Sequence, residues 1–183
     1  MTVLDKIKKL NRGIAVLIDP DTFGQGNEID GFLDKVEIAK PDFIFIGGSS
    51  VSKVDFEDCV EKTKRKLNIP LVLFPGASHH LSKDADAVLF LSLISGRNPD
   101  FLIGQHVKAV DELETLKLEV IPTSYLLING GQMTSVEYVS RTTPIPKDAF
   151  SIAKKTAVAG KYLGHQLIYA DAGSGALNPI NCE

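Results

Sequence analysis

Apolar residues in this chain fall into short unbroken runs. Between the runs lie segments in which apolar positions recur every three or four residues. The runs are "GIAVLID" (13–19), "FIFIGG" (43–48), "IPLVLFPG" (69–76), "AVLFLSL" (87–93), "EVIPTSYLLI" (119–128) and "HQLIYA" (165–170). Each is short and apolar on both faces, which predicts six buried strands, with Pro122 interrupting the first half of the fifth. The segment 29–40 places Ile29, Phe32, Leu33 and Val36 at helical spacing and is closed by Pro41. A second helix is predicted over 56–67, with Phe56, Cys59, Val60 and Leu67 on one side. A third runs over 98–116, with Asn98 as N-cap and Pro99 in its first turn. A fourth, 146–164, is stopped by Gly164.

Buried strands alternating with helices predict an α/β fold with a parallel sheet. One connection breaks the alternation. Only "ASHHLSKDAD" (77–86) separates the third and fourth strands, which is tight for a crossover helix and predicts a loop or single turn. Neither linker, repeat nor low-complexity tract interrupts the pattern, so residues 1–183 read as a single domain.

Composition narrows the partners. A chain of 183 residues with 44% apolar and 23% charged residues is globular rather than disordered. A net charge of −3 argues against nucleic acid as the main partner. No run of about 18 apolar residues appears, and the charged start "MTVLDKIKKLNRG" lacks the apolar stretch of a signal peptide, so a cytoplasmic protein is expected. Cys59 and Cys182 lie far apart and read as reduced thiols.

Ligands of parallel α/β folds bind at the carboxyl ends of the strands. All six predicted strands exit into small or polar residues, with carboxylates after the first and the last. That pattern suggests the rim of one active site. Asp19 reads equally as a ligand for a hard cation such as Mg²⁺ and as a cap of the next turn. Ser49 and Ser50 suit a metal, a phosphate or the local turn. Arg97 in "SGRN" reads as a phosphate partner or a structural loop residue. His79 and His80 are expected in a solvated loop, and His106 and His165 have no partner motif. Tyr125 and Tyr169 read as core, or as the lining of an apolar substrate site. "KTKRK" (62–66) is expected as a solvated helix face. The glycine turn Ala172-Gly173-Ser174-Gly175-Ala176 is the sharpest signal. It can bring backbone N–H groups to a phosphate, but its spacing is neither a P-loop nor a dinucleotide fingerprint, so a small phosphorylated substrate fits it best.

Taken together, "AVLIDPD" (15–21), "PDFIFIGGSS" (41–50), "LVLFPG" (71–76), "ADAVLFLSLISGRNPDFLIG" (85–104), "EVIPTSYLLINGG" (119–131) and "YADAGSGA" (169–176) resemble the geranylgeranylglyceryl phosphate synthase family, in the branch that reads "IDPD" after the first strand. The resemblance implies a modified TIM (β/α)₈ barrel lacking helix 3, which agrees with the short 77–86 link. It implies Mg²⁺-dependent transfer of a prenyl group from geranylgeranyl diphosphate to the C3 hydroxyl of sn-glycerol 1-phosphate. It assigns the metal to Asp19 and Ser49, and glycerol 1-phosphate to Tyr169, Ala170, Asp171, Ala172, Gly173, Ser174 and Gly175. Asp171 stands where the family commonly has Glu and becomes the candidate catalytic base, shorter by one methylene. Another branch carries a lysine where this chain has Leu17, so no phosphate contact is assigned there. A homo-oligomer is expected.

The resemblance also implies a seventh strand ending in Gly-Gly-Gly and an eighth ending in Gly-Asn, whereas this chain supplies about six strands of the eight. The expectation is a C-terminally truncated barrel with the first and sixth strands as open edges. A non-catalytic barrel remnant that binds prenyl chains or self-associates is the alternative. A barrel of the indole-glycerol-phosphate type fits less well with "IDPD", "GGSS" and "SGRNP".

Overall fold

The structure is a computed structural model that describes residues 1–23, 28–48 and 51–180. All six strands expected from the apolar runs are present: β1 (Ala15–Ile18), β2 (Phe43–Ile46), β3 (Leu71–Leu73), β4 (Ala87–Ser92), β5 (Glu119–Leu127) and β6 (Leu167–Asp171). They form one sheet in chain order, β1-β2-β3-β4-β5-β6. The pairings β1–β2, β2–β3, β3–β4 and β5–β6 are parallel. Pro122 lies inside β5, where its carbonyl accepts from Gln166 N–H at 2.8 Å. The ring removes a donor and leaves that acceptor in use.

The helices are α1 (Val3–Lys9), α2 (Glu28–Ala39), α3 (Lys53–Lys66), α4 (Gln105–Leu116), α5 (Ser135–Ser140) and α6 (Phe150–Tyr162). The expected helix over 98–116 is a π-helical turn, Asp100–Gly104, continued by α4. No helix lies between β3 and β4, as the length of that link requires. No helix among the described residues is long and apolar enough to cross a membrane. Two short helices escaped the sequence reading. The capping box between Thr2 and Asp5 starts α1. Its Val3 and Leu4 N–H groups donate to Glu119 at the head of β5, at 2.6 and 3.0 Å. The Thr134 side chain caps α5, which ends at Arg141 in the left-handed region.

The chain divides into two compact units. The first comprises Met1–Leu89 with Ala109–Val120, and the second Phe90–Lys108 with Ile121–Glu183. In the first, Ile18, Leu33, Ile44, Ile46, Phe56, Leu71 and Leu73 are buried almost completely. Each such side chain contributes roughly 1.5–3 kcal/mol through its removal from water. In the second, Leu126, Ile128 and Ile145 form a core against which Ile94 and the small face of α6, Ala153 and Ala157, pack. At Gly160 a side chain would overlap Ser124 Oγ, so glycine lets α6 lie directly on β5.

The terminal strands differ from those between them. β2 and β3 are almost wholly buried, whereas Leu17 on β1 is 46% exposed and Ile168 on β6 is 51% exposed.

His80 departs from expectation. It is 1% exposed rather than solvated. Its ring stacks on Phe56 at 4.8 Å, its Nδ1 faces the Gly76 N–H at 3.2 Å, and its Nε2 lies 2.9 Å from the Val51 carbonyl. That pairing assigns the neutral form with the proton on Nε2, donating to Val51. Burial pushes its pKa down, consistent with the neutral ring. A fixed tertiary role leaves it unavailable to a metal, while His79 beside it is exposed as expected. Cys59 is a buried free thiol, pushed up to about 12 by desolvation. Cys182 lies outside the described residues.

Candidate functional site

Two carboxylates leave the sheet at the carboxyl ends of its terminal strands. In the first unit, Asp19 directly follows β1. Its Oδ1 accepts from Asp21 N–H at 3.1 Å and so caps the short 3₁₀ turn Pro20–Thr22. The capping reading is thus correct, and it does not exhaust the side chain. The same carboxylate lies against the backbone at the exit of β2, since a Cβ at Gly48 would stand 2.5 Å from Asp19 Oδ1. Glycine at 48 is therefore what lets the carboxylate occupy this place. Burial raises the Asp19 pKa, partly offset by the Asp21 N–H, and the Asp21 charge raises it further. Ser49 and Ser50 follow Gly48 in the chain and lie outside the described residues.

This half-buried carboxylate is a hard oxygen donor beside a second carboxylate, the chemistry that Mg²⁺ prefers. Among the described residues no cluster of three His, Cys, Asp or Glu could hold a metal. Mg²⁺ does not require one, because it commonly keeps several waters and takes its remaining ligands from substrate phosphates. The donor set at Asp19 therefore fits that ion.

In the second unit, the parallel register pairs Tyr125 with Tyr169 and Leu127 with Asp171. Alternation along the strands then puts Tyr125, Tyr169 and Asp171 on one face of the sheet. The two rings meet edge to face at 5.4 Å. The Tyr125 hydroxyl donates to Asp171 Oδ2 at 2.7 Å, and the Gly173 N–H donates to Asp171 Oδ1 at 2.9 Å. Both carboxylate oxygens are thus engaged. Burial first, then the Asp171 charge, pushes both phenol pKa values upward, that of Tyr169 to about 12. Both phenols remain protonated donors at neutral pH.

The turn beyond Asp171 is fixed by its glycines. Gly173 has φ +86 and Gly175 φ +75, values that residues with a Cβ rarely adopt. A Cβ at Gly173 would also meet the Thr134 side chain at 2.5 Å. Ala176 N–H donates to Gly173 O at 3.2 Å, closing the turn. The loop after β5 supports it: Gln132 Nε2 donates to the Gly175 carbonyl, and Asn178 N–H donates to Gly130 O at 3.0 Å. Ser174 and Gly175 are exposed at the tip.

Residues 7–183 match the model of the PcrB family. The chain belongs to the PcrB family. Within this family it is 47% identical over 177 residues to a geranylgeranylglyceryl phosphate synthase of Zunongwangia profunda, covering 96% of this chain and 75% of that protein. It is 48% identical over 177 residues to the Chitinophaga pinensis protein of the same name, covering 97% of this chain and 70% of that one. Among solved structures, the (S)-3-O-geranylgeranylglyceryl phosphate synthase of Thermoplasma acidophilum in complex with its substrate sn-glycerol-1-phosphate superposes with a TM-score of 0.89 at 33% identity, covering 99% of this chain and 74% of that chain. The PcrB family assignment and this likeness establish the α/β, TIM-barrel-type fold, of which the described residues carry six strands.

Other residues singled out in the sequence take structural places. Arg97 donates to the Gly96 carbonyl at 2.6 Å and holds its own loop. His106 is buried, with Nε2 at 3.2 Å from Ser92 Oγ and its ring edge-on to Phe90. His165 Nδ1 meets Ser124 Oγ at 2.7 Å. Sequence reasoning noted Tyr125 and Asp171 separately but missed their bond. The available signal was the equal two-residue step in "YLL" on β5 and "YAD" on β6, which aligns them once the strands pair.

Proposed function

We propose that this chain is a prenyltransferase that joins a geranylgeranyl group from its diphosphate to the C3 hydroxyl of sn-glycerol 1-phosphate, with Mg²⁺ as cofactor. The observation that carries the reading is Asp171, held on both oxygens at the head of a glycine turn. Support comes from relatives at 47% and 48% identity with the synthase name, and from the Thermoplasma acidophilum structure solved with sn-glycerol-1-phosphate.

Glycerol 1-phosphate would bind along Tyr169–Gly175. Because Gly173 N–H is committed to Asp171, the N–H groups of Ser174 and Gly175 are the phosphate donors of this turn. Asp171, beside the glycerol hydroxyls, acts as the base. The C3 oxygen forms a bond to the allylic carbon as the bond from that carbon to diphosphate breaks. The hydroxyl proton passes to the Asp171 carboxylate, and diphosphate leaves with the bonding electron pair. Bound at Asp19 and Ser49, Mg²⁺ would supply neutralisation of the charge that develops on diphosphate. Asp19 itself, half-buried and acceptor-only, contributes a fixed negative charge for that ion.

Leu17 and Ile168, exposed on the terminal strands, favour a second reading: a non-catalytic scaffold that binds prenyl chains or assembles with copies of itself. Incubation of the purified chain with both substrates and Mg²⁺, followed by mass spectrometry for the ether product, separates the two. Product formation that falls steeply but measurably in Asp19→Ala and in Asp171→Asn is expected. A folded chain that binds prenyl diphosphate and turns nothing over would favour the scaffold.

A further inference from the structure

Tyr125 is 8% exposed, yet it carries a hydroxyl. Burying that group is costly unless it finds a partner, and the partner is the carboxylate already proposed as the base. The bond is short, 2.7 Å, and charge-assisted. It runs from β5 to the residue two positions beyond Tyr125's own strand partner, Tyr169. We infer that Tyr125 is a positioning residue for Asp171 in the transfer reaction. This rests on the prenyltransferase reading above.

A short Asp side chain has only two rotatable bonds, and two donors from different directions lock both. Gly173 N–H holds Oδ1 from within the turn, and Tyr125 holds Oδ2 from the sheet. The sheet-side bond matters more for orientation, because β5 is buried through Ser124, Tyr125, Leu126 and Leu127 whereas Ser174 and Gly175 in the turn are exposed. Without the hydroxyl, Oδ2 loses its rigid anchor and the carboxylate is free to rotate about the remaining bond to Gly173. The phosphate-binding turn keeps its own fixation through Gly173 N–H and Thr134. The defect therefore falls on proton transfer rather than on glycerol 1-phosphate binding.

The test is a double-mutant cycle on the full chain, with kcat and KM for glycerol 1-phosphate measured in wild type, Tyr125→Phe, Asp171→Asn and the double variant. Phe keeps the ring and its edge contact to Tyr169. Tyr125→Phe is expected to lower kcat about tenfold to a hundredfold, with KM changed less than about threefold. In the Asp171→Asn background the same substitution should cost nothing further. Equal losses in both backgrounds, full kcat in Tyr125→Phe, or failure of that variant to fold would overturn the inference and leave Tyr125 a packing residue. No product from wild type would instead remove the prenyltransferase reading itself, so the two failures are distinguishable.

Discussion

Asp19 and Asp171 stand at equivalent positions, each at the carboxyl end of a terminal strand, and they are held in opposite ways. Asp171 has a donor on each oxygen, one of them a buried phenol. Among the described residues Asp19 accepts from one backbone N–H; it lies beside the Asp21 charge and carries a pKa raised by burial. A carboxylate fixed by two donors is oriented for a directional task such as taking a proton from a hydroxyl. A carboxylate partly buried beside another negative charge is costly to ionise in the free protein, and a cation relieves that cost. Under the proposed function, this difference matches the two groups to two separate tasks, Asp19 to the cation and Asp171 to the glycerol hydroxyl.

The comparison breaks most readily at Asp19. Asp19→Ala should lower product formation by about a hundredfold to a thousandfold while leaving glycerol 1-phosphate affinity unchanged, as rate assays and calorimetry would register. A comparable loss of glycerol 1-phosphate affinity would erase the division of labour. At the other end, Ser174→Asp sets a negative charge at the exposed tip of the turn. Its dissociation constant for glycerol 1-phosphate should rise about a hundredfold with little change in Tm. Gly173→Ala tests the backbone of the same turn. Its φ of +86 and the Thr134 side chain 2.5 Å from the added Cβ both oppose the substitution. A loss of about 2 kcal/mol is expected in denaturant unfolding.

The smallest effect concerns the resting cost of Asp19. A raised folded-state pKa means that the native chain holds a proton which the unfolded chain has already released. Stability therefore falls as pH rises from the unfolded value, near 3.8, through the raised folded value, and stays lower above it. Asp19→Asn removes this cost. It should raise Tm at pH 7 in the absence of Mg²⁺, and the gain should vanish below about pH 3.8, where both states are protonated. A variant less stable than wild type at pH 7 would mean that the carboxylate is structurally satisfied.

Much of the sheet was legible because apolar runs report burial on both faces, and burial is what a central parallel strand requires. The absent helix between β3 and β4 was legible from chain length alone. Short elements were not. The helix α1 is secured by Glu119, 116 residues from Val3, and no local pattern encodes that contact. His80 looked like a surface histidine because its neighbours in sequence are polar, whereas Phe56 and the Val51 carbonyl, brought in by the fold, bury it. At the candidate site both carboxylates and the glycine turn could be picked out, since residue type and position after a strand carry that information. What holds Asp171 could not, because the Tyr125 bond depends on strand register and on a side chain that the sequence alone reads as core.

The most direct test titrates glycerol 1-phosphate calorimetrically, without Mg²⁺, into wild type, Asp19→Asn and Ser174→Asp. The account predicts that wild type and Asp19→Asn bind alike and that Ser174→Asp loses the ligand. Weakened binding in Asp19→Asn with normal binding in Ser174→Asp would contradict it, and would place glycerol phosphate at the β1 carboxylate rather than at the β6 turn.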